Sequence, residues 1–399
     1  MKNFSHAKAR RRKEFFQNKC RKSFASFAPL REIFIYFAFF VAFESFAQPT
    51  LKDAFKNNFL IGAALNESQF TGENAKEASL VKQQFNCISP ENCLKWESVN
   101  PRPGIFYFSN ADRYVEFGVK NKMFIVGHNL IWHEQTPNWV FRDDKGNPVS
   151  RKILLQRMRE HIFAVVGRYK GKIGGWDVVN EALNEDGTLR KSNWEKIIGP
   201  DYLLKAYQFA HEADPNAQLY YNDYSLENLP KQNGAIALIQ KLQSHGVKIF
   251  AVGLQGHYKM DWPTTNQLDE AISAFSKLGI KVMISELDMD LLPSPTRSQG
   301  AEVSMNFALQ AKLNPYTNGL PDSVQQKLAQ RYADLFKIFV AHRDAITRVT
   351  FWGVTDGDSW LNNWPVRGRT AYPLLFNRDC QPKPAFDAVI RVAAAARQK

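Results

Sequence analysis

The chain has 399 residues, 44% hydrophobic and 13% aromatic, which excludes a disordered chain and allows one large domain or two ordinary ones. A formal charge of +13 suggests nucleic acid at first, but ten of the 52 Lys and Arg and only three of the 39 Asp and Glu fall in the first 47 residues. The remainder carries about +6 with no basic stripe, so a nucleic-acid partner is set aside.

Those 47 residues read as an export signal. Arg10, Arg11, Arg12, Lys13, Lys19, Arg21 and Lys22 form a basic leader, and Ile33 to Phe43 is an unbroken apolar run. Ser45-Phe46-Ala47 is a small-x-small cleavage site before Gln48. The apolar run is shorter than the roughly 20 residues that span a bilayer, so no stable membrane insertion is expected after cleavage. The mature protein is expected to be one catalytic domain over 48–399, monomeric, and secreted or periplasmic. The last predicted helix lies near the final residue, so no appended binding module is expected. Cys20 goes with the leader, which leaves Cys87, Cys93 and Cys380. Whether Cys87 and Cys93 pair in an oxidising compartment is a question of geometry.

From Phe59 onward strand-like and helix-like segments alternate without a linker or low-complexity break. Phe59 to Leu65 is a first apolar run, followed by helix-forming Glu73 to Gln84. Phe85 to Ser89 and Met123 to Gly127 are the second and third strands, each leading into a long loop, with a helix over Arg151 to Tyr169. The stretch Ile173 to Leu183, IGGWDVVNEAL, supplies the fourth: an apolar run between a glycine pair and a polar break, as in a strand buried on both faces. Gln218 to Tyr221 and Ile249 to Leu254 are the fifth and sixth, with helices over Lys231 to Ser244 and Asn266 to Leu278. Lys281 to Ser285 and Arg348 to Trp352 are the seventh and eighth, and a last helix starts at Pro384. Eight alternations predict an α/β fold, a single (βα)8 TIM barrel with long βα loops. Neither a G-x-G-x-x-G nor a Walker loop is present to favour doubly wound domains.

The polar residues decide what the barrel does. Strand two runs into Glu91, Asn92 and Lys95, strand three into His128 and Trp132, strand four into Asn180 and Glu181, and strand five into Asn222 and Asp223. Strand six runs into Gln255 and His257, strand seven into Glu286 and Asp288, and strand eight into Trp352. A barrel collects all of these at its C-terminal rim. Glu181 and Glu286 close strands four and seven, and paired carboxylates are the apparatus of glycoside hydrolysis: one protonates the leaving oxygen and the other attacks the anomeric carbon. Trp96, Trp132, Trp352 and Trp360 suit stacking on sugar rings. His128, His133, His257, Asp223 and Asp288 raise a metal reading. It is set aside because the first strand ends Ala64-Leu65-Asn66 rather than in His-x-His, and because a loop separates His128 from His133. No metal or cofactor is expected.

Several motifs, in order, resemble those of glycoside hydrolase family ten endo-β-1,4-xylanases over about Phe59 to Ile390. They are ENCLKWE (Glu91 to Glu97), GHNLIWHEQTPNW (Gly127 to Trp139), WDVVNEAL (Trp176 to Leu183), YNDY (Tyr221 to Tyr224), GLQGH (Gly253 to His257), SELD (Ser285 to Asp288) and FWGVTDGDSW (Phe351 to Trp360). The resemblance implies endo-hydrolysis of xylan and xylo-oligosaccharides with retention, Glu181 as general acid/base and Glu286 as nucleophile. It implies that Asn180 bonds the 2-hydroxyl of the sugar being cleaved and that His257, held by Asp288, orients Glu286. Lys95, His128, Trp132, Gln255, Trp352 and Trp360 would line the subsite of cleavage, and Glu91 and Asn92 would hold the next sugar outward. Leu94 stands where the family more often has Met, Asn129 where Thr is usual, and the loop from Leu292 to Pro321 is longer than the family's minimal form. That loop is expected to carry a short helix within Val303 to Leu313 and to wall one end of the cleft. Two other functions are carried: a broader β-1,4-glycanase acting on cellulose or mixed-linkage glucan, and a non-catalytic polysaccharide-binding barrel. Possession of both Glu181 and Glu286 argues against the latter. Asp356 and Asp358 are expected to fix the last loop, Asp223 either to brace a loop or to act directly in the site, and Tyr221 and Trp194 to pack.

Overall fold

In a computed structural model, residues 49–295 and 306–397 are described, and the expected export signal lies outside them. The short apolar runs become strands β1 (Leu60–Leu65), β2 (Cys87–Pro90), β3 (Phe124–Gly127), β4 (Gly175–Asn180), β5 (Gln218–Asp223), β6 (Ala251–Leu254), β7 (His257–Lys259), β8 (Lys281–Asp290) and β9 (Ile346–Phe351). Every residue of β2, β4 and β6 is buried, as expected where helices cover one face of a parallel strand and the barrel interior the other. The order β6-β5-β4-β3-β2-β1-β9-β8 closes on itself through parallel pairing of β6 with β8, Val252 opposite Val282. The expected eight-stranded barrel is present.

The helices are α1 (Leu51–Ala54), α2 (Glu67–Thr71), α3 (Ala75–Gln84), α4 (Trp96–Val99), α5 (Ser109–Lys120), α6 (Arg151–Arg168), α7 (Asn193–Ile198), α8 (Tyr202–Ala213), α9 (Leu229–Ser244), α10 (Thr265–Ser276), α11 (Asp322–Ala341) and α12 (Pro384–Ala396). Local chemistry sets their ends. Asn66 with Gln69 and Thr264 with Gln267 form capping boxes at α2 and α10, and a proline opens α9 and α12. In α6, Leu154, Met158, Ile162, Val165 and Val166 form one buried stripe, each side chain worth about 1.5–3 kcal/mol when removed from water. Close approach requires glycine at one site in the barrel wall: a Cβ on Gly127 would lie 2.0 Å from the Trp176 ring.

The structure departs from the sequence reading in three places. The expected seventh strand ended at Ser285 but runs to Asp290, because β7 pairs with its outer half and sets His257 opposite Asp288. Helices α5, α8 and α11 occupy stretches read as loops or left unassigned. Within Val303 to Leu313, residues 303–305 lie outside the described residues. The rest holds a 3-10 turn, Ala311–Leu313, and Phe307 forms a parallel bridge with Val366. The pairing that the sequence leaves open is absent: Cys87 and Cys93 are buried free thiols.

Candidate active site

At the C-terminal rim the loops enclose a cavity of about 190 Å³ lined by Glu91, Asn92, Lys95, His128, Trp132, Gln135, Asn180, Glu181, Gln255, His257, Glu286, Trp352 and Trp360. Every catalytic and substrate-binding candidate from the sequence except the stacking candidate Trp96 lies on this wall. Asp288 stands behind it, with Oδ1 3.0 Å from His257 Nδ1 and Oδ2 accepting from Trp360 Nε1 at 2.6 Å.

Glu181 follows β4 directly and has φ +56, left-handed backbone that costs a non-glycine residue roughly 1–2 kcal/mol. Bonds on every side offset that cost. Its backbone N–H donates to Asn222 O at 2.9 Å, and its carboxyl accepts from Trp132 Nε1 at 2.8 Å, Gln255 Nε2 at 2.9 Å and Asn180 Nδ2 at 3.1 Å. Glu286 lies within β8. It accepts from Asn222 Nδ2 at 2.7 Å, and its Oε2 lies 3.1 Å from His257 Nε2. Asn222 Nδ2 also donates to Asn180 Oδ1 at 2.8 Å, so one amide ties together the strand ends that carry the two glutamates.

These partners give the two acids opposite protonation states. Burial pushes Glu181 up to about 7, and the charges of Asp223 and Glu286 add to it against the bonds from Gln255 and Trp132. Burial acts on Glu286 in the same direction, yet the bond from His257, the charges of His128 and His257 and the bond from Asn222 outweigh it and hold the carboxyl below 4.5. Burial opposes a charged His257, but Asp288 and Glu286 together raise the ring to about 10. An acid that keeps its proton near neutrality therefore shares a cavity with one that has lost it. Around them Lys95 donates to Asn92 Oδ1 at 3.0 Å and Gln135 Oε1 at 2.6 Å, 5.0 Å from the Trp132 ring centre. His128 is set by Asp177 at 2.9 Å and packs edge-on to Trp352. Glu91 is pushed up to about 7 by burial, against the charge of Lys95.

Asn222, Gln135 and Asp177 take part in this network without having been assigned roles in it. Asp177 had a signal: a carboxylate inside the buried run WDVV requires a partner. Trp96 is a correction. It is 2% exposed and stacks on His161 with ring centres 3.7 Å apart, so it fills the core rather than offering a sugar platform. Tyr221 and Trp194 pack in the core. Asp356 braces the last loop through Lys383 Nζ at 2.8 Å and Leu374 N–H at 2.9 Å, and Asp358 accepts from Gln69 Nε2 at 3.2 Å.

A family model described as Glycosyl hydrolase family 10 matches residues 50–392. Endo-1,4-beta-xylanase A of Xylanibacter ruminicola is 44% identical over 86% of this chain and 94% of its own length. An exoglucanase of Acetivibrio thermocellus is 38% identical over 86% of this chain and 29% of its own length. Among solved structures, a GH10 endoxylanase from a sugarcane soil metagenome superposes with a TM-score of 0.84 at 44% identity, covering 86% of this chain and 99% of that one. A mutant of the intracellular xylanase of Thermoanaerobacterium saccharolyticum, solved with xylotriose, superposes with a TM-score of 0.74 at 36% identity over 86% and 98%. The chain thus belongs to glycosyl hydrolase family 10, a family of retaining glycoside hydrolases.

Proposed function

We propose that the protein cleaves internal β-1,4-xylosidic bonds of xylan with retention of configuration, through a covalent glycosyl-enzyme. One observation carries the assignment of roles: two buried carboxyls on one cavity wall are held in opposite protonation states by different partners. Glu286, ionised, attacks the anomeric carbon while Glu181 gives its proton to the departing glycosidic oxygen. Glu181, now a carboxylate, takes a proton from water as the water oxygen displaces Glu286. Asn180 holds the 2-hydroxyl of the reacting sugar. Lys95, His128, Trp132, Gln255, Trp352 and Trp360 position that sugar, and Glu91 and Asn92 hold the next one. His257 and Asp288 fix Glu286.

Glu286→Ala is expected to abolish turnover of all substrates. Glu181→Ala is expected to lose xylan hydrolysis but retain far more activity on an aryl xylobioside, whose leaving group needs little proton assistance. A Glu286→Ala variant with near wild-type activity refutes the assignment. Glucan is the second reading, supported by the exoglucanase among the relatives. Trp352 and Trp360 border the cavity where an extra hydroxymethyl group would crowd, so xylo-oligosaccharides are expected to exceed cello-oligosaccharides in kcat/KM by about 10- to 200-fold. The reverse order selects the glucan reading. Export follows from the leader and the site after Ala47, and mass spectrometry of the exported protein is expected to find Gln48 first. An intact Phe34 to Phe43 segment there refutes cleavage.

A further inference from the structure

At the end of β5, outside the cavity lining, lies a charged pair that the steps above do not use. Asp223 ends β5 and is fully buried. Its Oδ1 lies 3.0 Å from Lys231 Nζ and accepts the Tyr224 N–H at 2.9 Å, and its Oδ2 accepts the Tyr221 hydroxyl at 2.5 Å. Lys231, in the first turn of α9, is also fully buried. Its ammonium lies 3.4 Å from the centre of the Tyr224 ring and 3.5 Å from Glu185 Oε1. The strand fixes where this carboxylate sits relative to the acid: Asn222, one residue before Asp223, accepts the Glu181 N–H, and Asp223 O accepts the Gln255 N–H at 3.1 Å. Gln255 in turn holds the Glu181 carboxyl.

Bringing a lysine and an aspartate together out of water is costly, and a hydrophobic pair often serves stability as well. A fixed anion beside a carboxyl that must start protonated, however, has a use. We propose that Asp223, clamped by Lys231, is a positioning residue whose charge keeps the proton on Glu181 until the glycosidic oxygen takes it. The inference rests on Glu181 being the acid/base. Other charges reach Glu181 from neighbouring elements. Glu286 in β8 acts in the same sense, Lys95 opposes it, and Tyr224 stands beside it with Arg190 Nη2 donating to the Tyr224 hydroxyl at 3.0 Å. Tyr202 of α8, Glu185 and Glu227 also face the pair, and His133 and Arg190 line a small space beside Glu181. Asp223 is the largest charge effect on Glu181, second only to burial, in raising its pKa to about 7.

The test is the pH profile of kcat/KM on xylotetraose, whose leaving group needs the acid. Asp223→Asn removes the anion and leaves Lys231 in place, so the alkaline limb is expected to move down by about one pH unit. Asp223→Asn combined with Lys231→Met removes both charges, and its limb is expected between those of the single variant and the wild type. This double variant carries the test if the lone buried ammonium prevents the single one from folding. A merely structural pair would lower the rate without moving the limb, and a limb at its wild-type position in both variants overturns the proposal. Glu181→Gln, assayed on an aryl xylobioside, separates the two readings. If the alkaline limb persists unchanged there, the assignment of Glu181 fails. If it vanishes there while both Asp223 variants keep the wild-type limb, only the role of Asp223 fails.

Discussion

Replacing Asp288 by Asn tests the relay that keeps Glu286 ionised. His257 stands between two carboxylates, with Nδ1 3.0 Å from Asp288 and Nε2 3.1 Å from Glu286. A ring raised from 6.5 to about 10 corresponds to a net of about 5 kcal/mol in favour of the charged form, the balance left after the two carboxylates overcome burial. Losing one charge-assisted bond of the two removes about 2–3 kcal/mol. The sign follows from the direction of the shift. Because the folded pKa lies above the unfolded one, the ring's contribution is complete below pH 6.5 and is lost as pH rises through about 10. In Asp288→Asn the ring keeps only Glu286 and releases its proton at a lower pH. The stability gap to wild type is therefore widest near neutrality and closes toward about pH 10.5. Urea unfolding followed by tryptophan fluorescence at several pH values measures it. Because the Trp360 indole also donates to Asp288 Oδ2, a gap that stays constant across the range would show that Asp288 acts through this bond and packing, and the charge argument would fail.

Three further outcomes are expected. Proton NMR of the first-formed sugar is expected to show the β-anomer, and α-xylose appearing first would exclude a glycosyl-enzyme. Lys383→Met strands the buried Asp356 carboxylate and is expected to destabilise the fold by about 3–5 kcal/mol in urea unfolding. A loss under 1 kcal/mol would mean that Asp356 is neutralised without Lys383. Shortening the segment 292–321 to a turn is expected to change the product lengths from long xylo-oligosaccharides while sparing an aryl xylobioside. This segment leans on the loop carrying Trp360, since Phe307 N–H donates to Pro365 O at 2.9 Å, Thr370 N–H to Asn314 Oδ1 at 2.9 Å and Tyr372 OH to Tyr316 O at 2.8 Å. An unchanged product pattern in a folded deletion makes it a passive insertion.

The barrel was legible because its signal is local. A short apolar run followed by a polar or aromatic residue recurs along the barrel strands, and parallel closure turns that repeat into a single rim. The missed helices had weaker local signals. In α5 the buried Ala111, Tyr114, Val115 and Gly118 keep helical spacing but are interleaved with charged residues, so the segment reads as polar. In α11 the stripe Leu328, Tyr332, Phe336 and Phe339 is clear, but the stretch follows the long insertion ending at Pro321 and stays unassigned in the sequence reading. Trp96 failed for the opposite reason: position after a strand says that a side chain is near the rim, but not which way it faces.

Pairing between distant strands has no local signature at all, and it is pairing that distinguishes the two glutamates. Both are buried, and burial pushes the pKa of both upward. What separates them arrives from elsewhere in the chain. Asn222 and His257 reach Glu286 from β5 and β7, while Glu181 receives its amide from Gln255, its indole from Trp132 and its neighbouring anion from Asp223. The register of the sheet makes these meetings possible: Asn180 is opposite Asn222, and His257 is opposite Asp288. A slip of one residue in either pairing would turn the partner's side chain to the other face of the sheet. The packed barrel core that holds this register thereby also holds the difference in proton affinity between Glu181 and Glu286, so the chemistry depends on strand pairing as directly as on the two acids themselves.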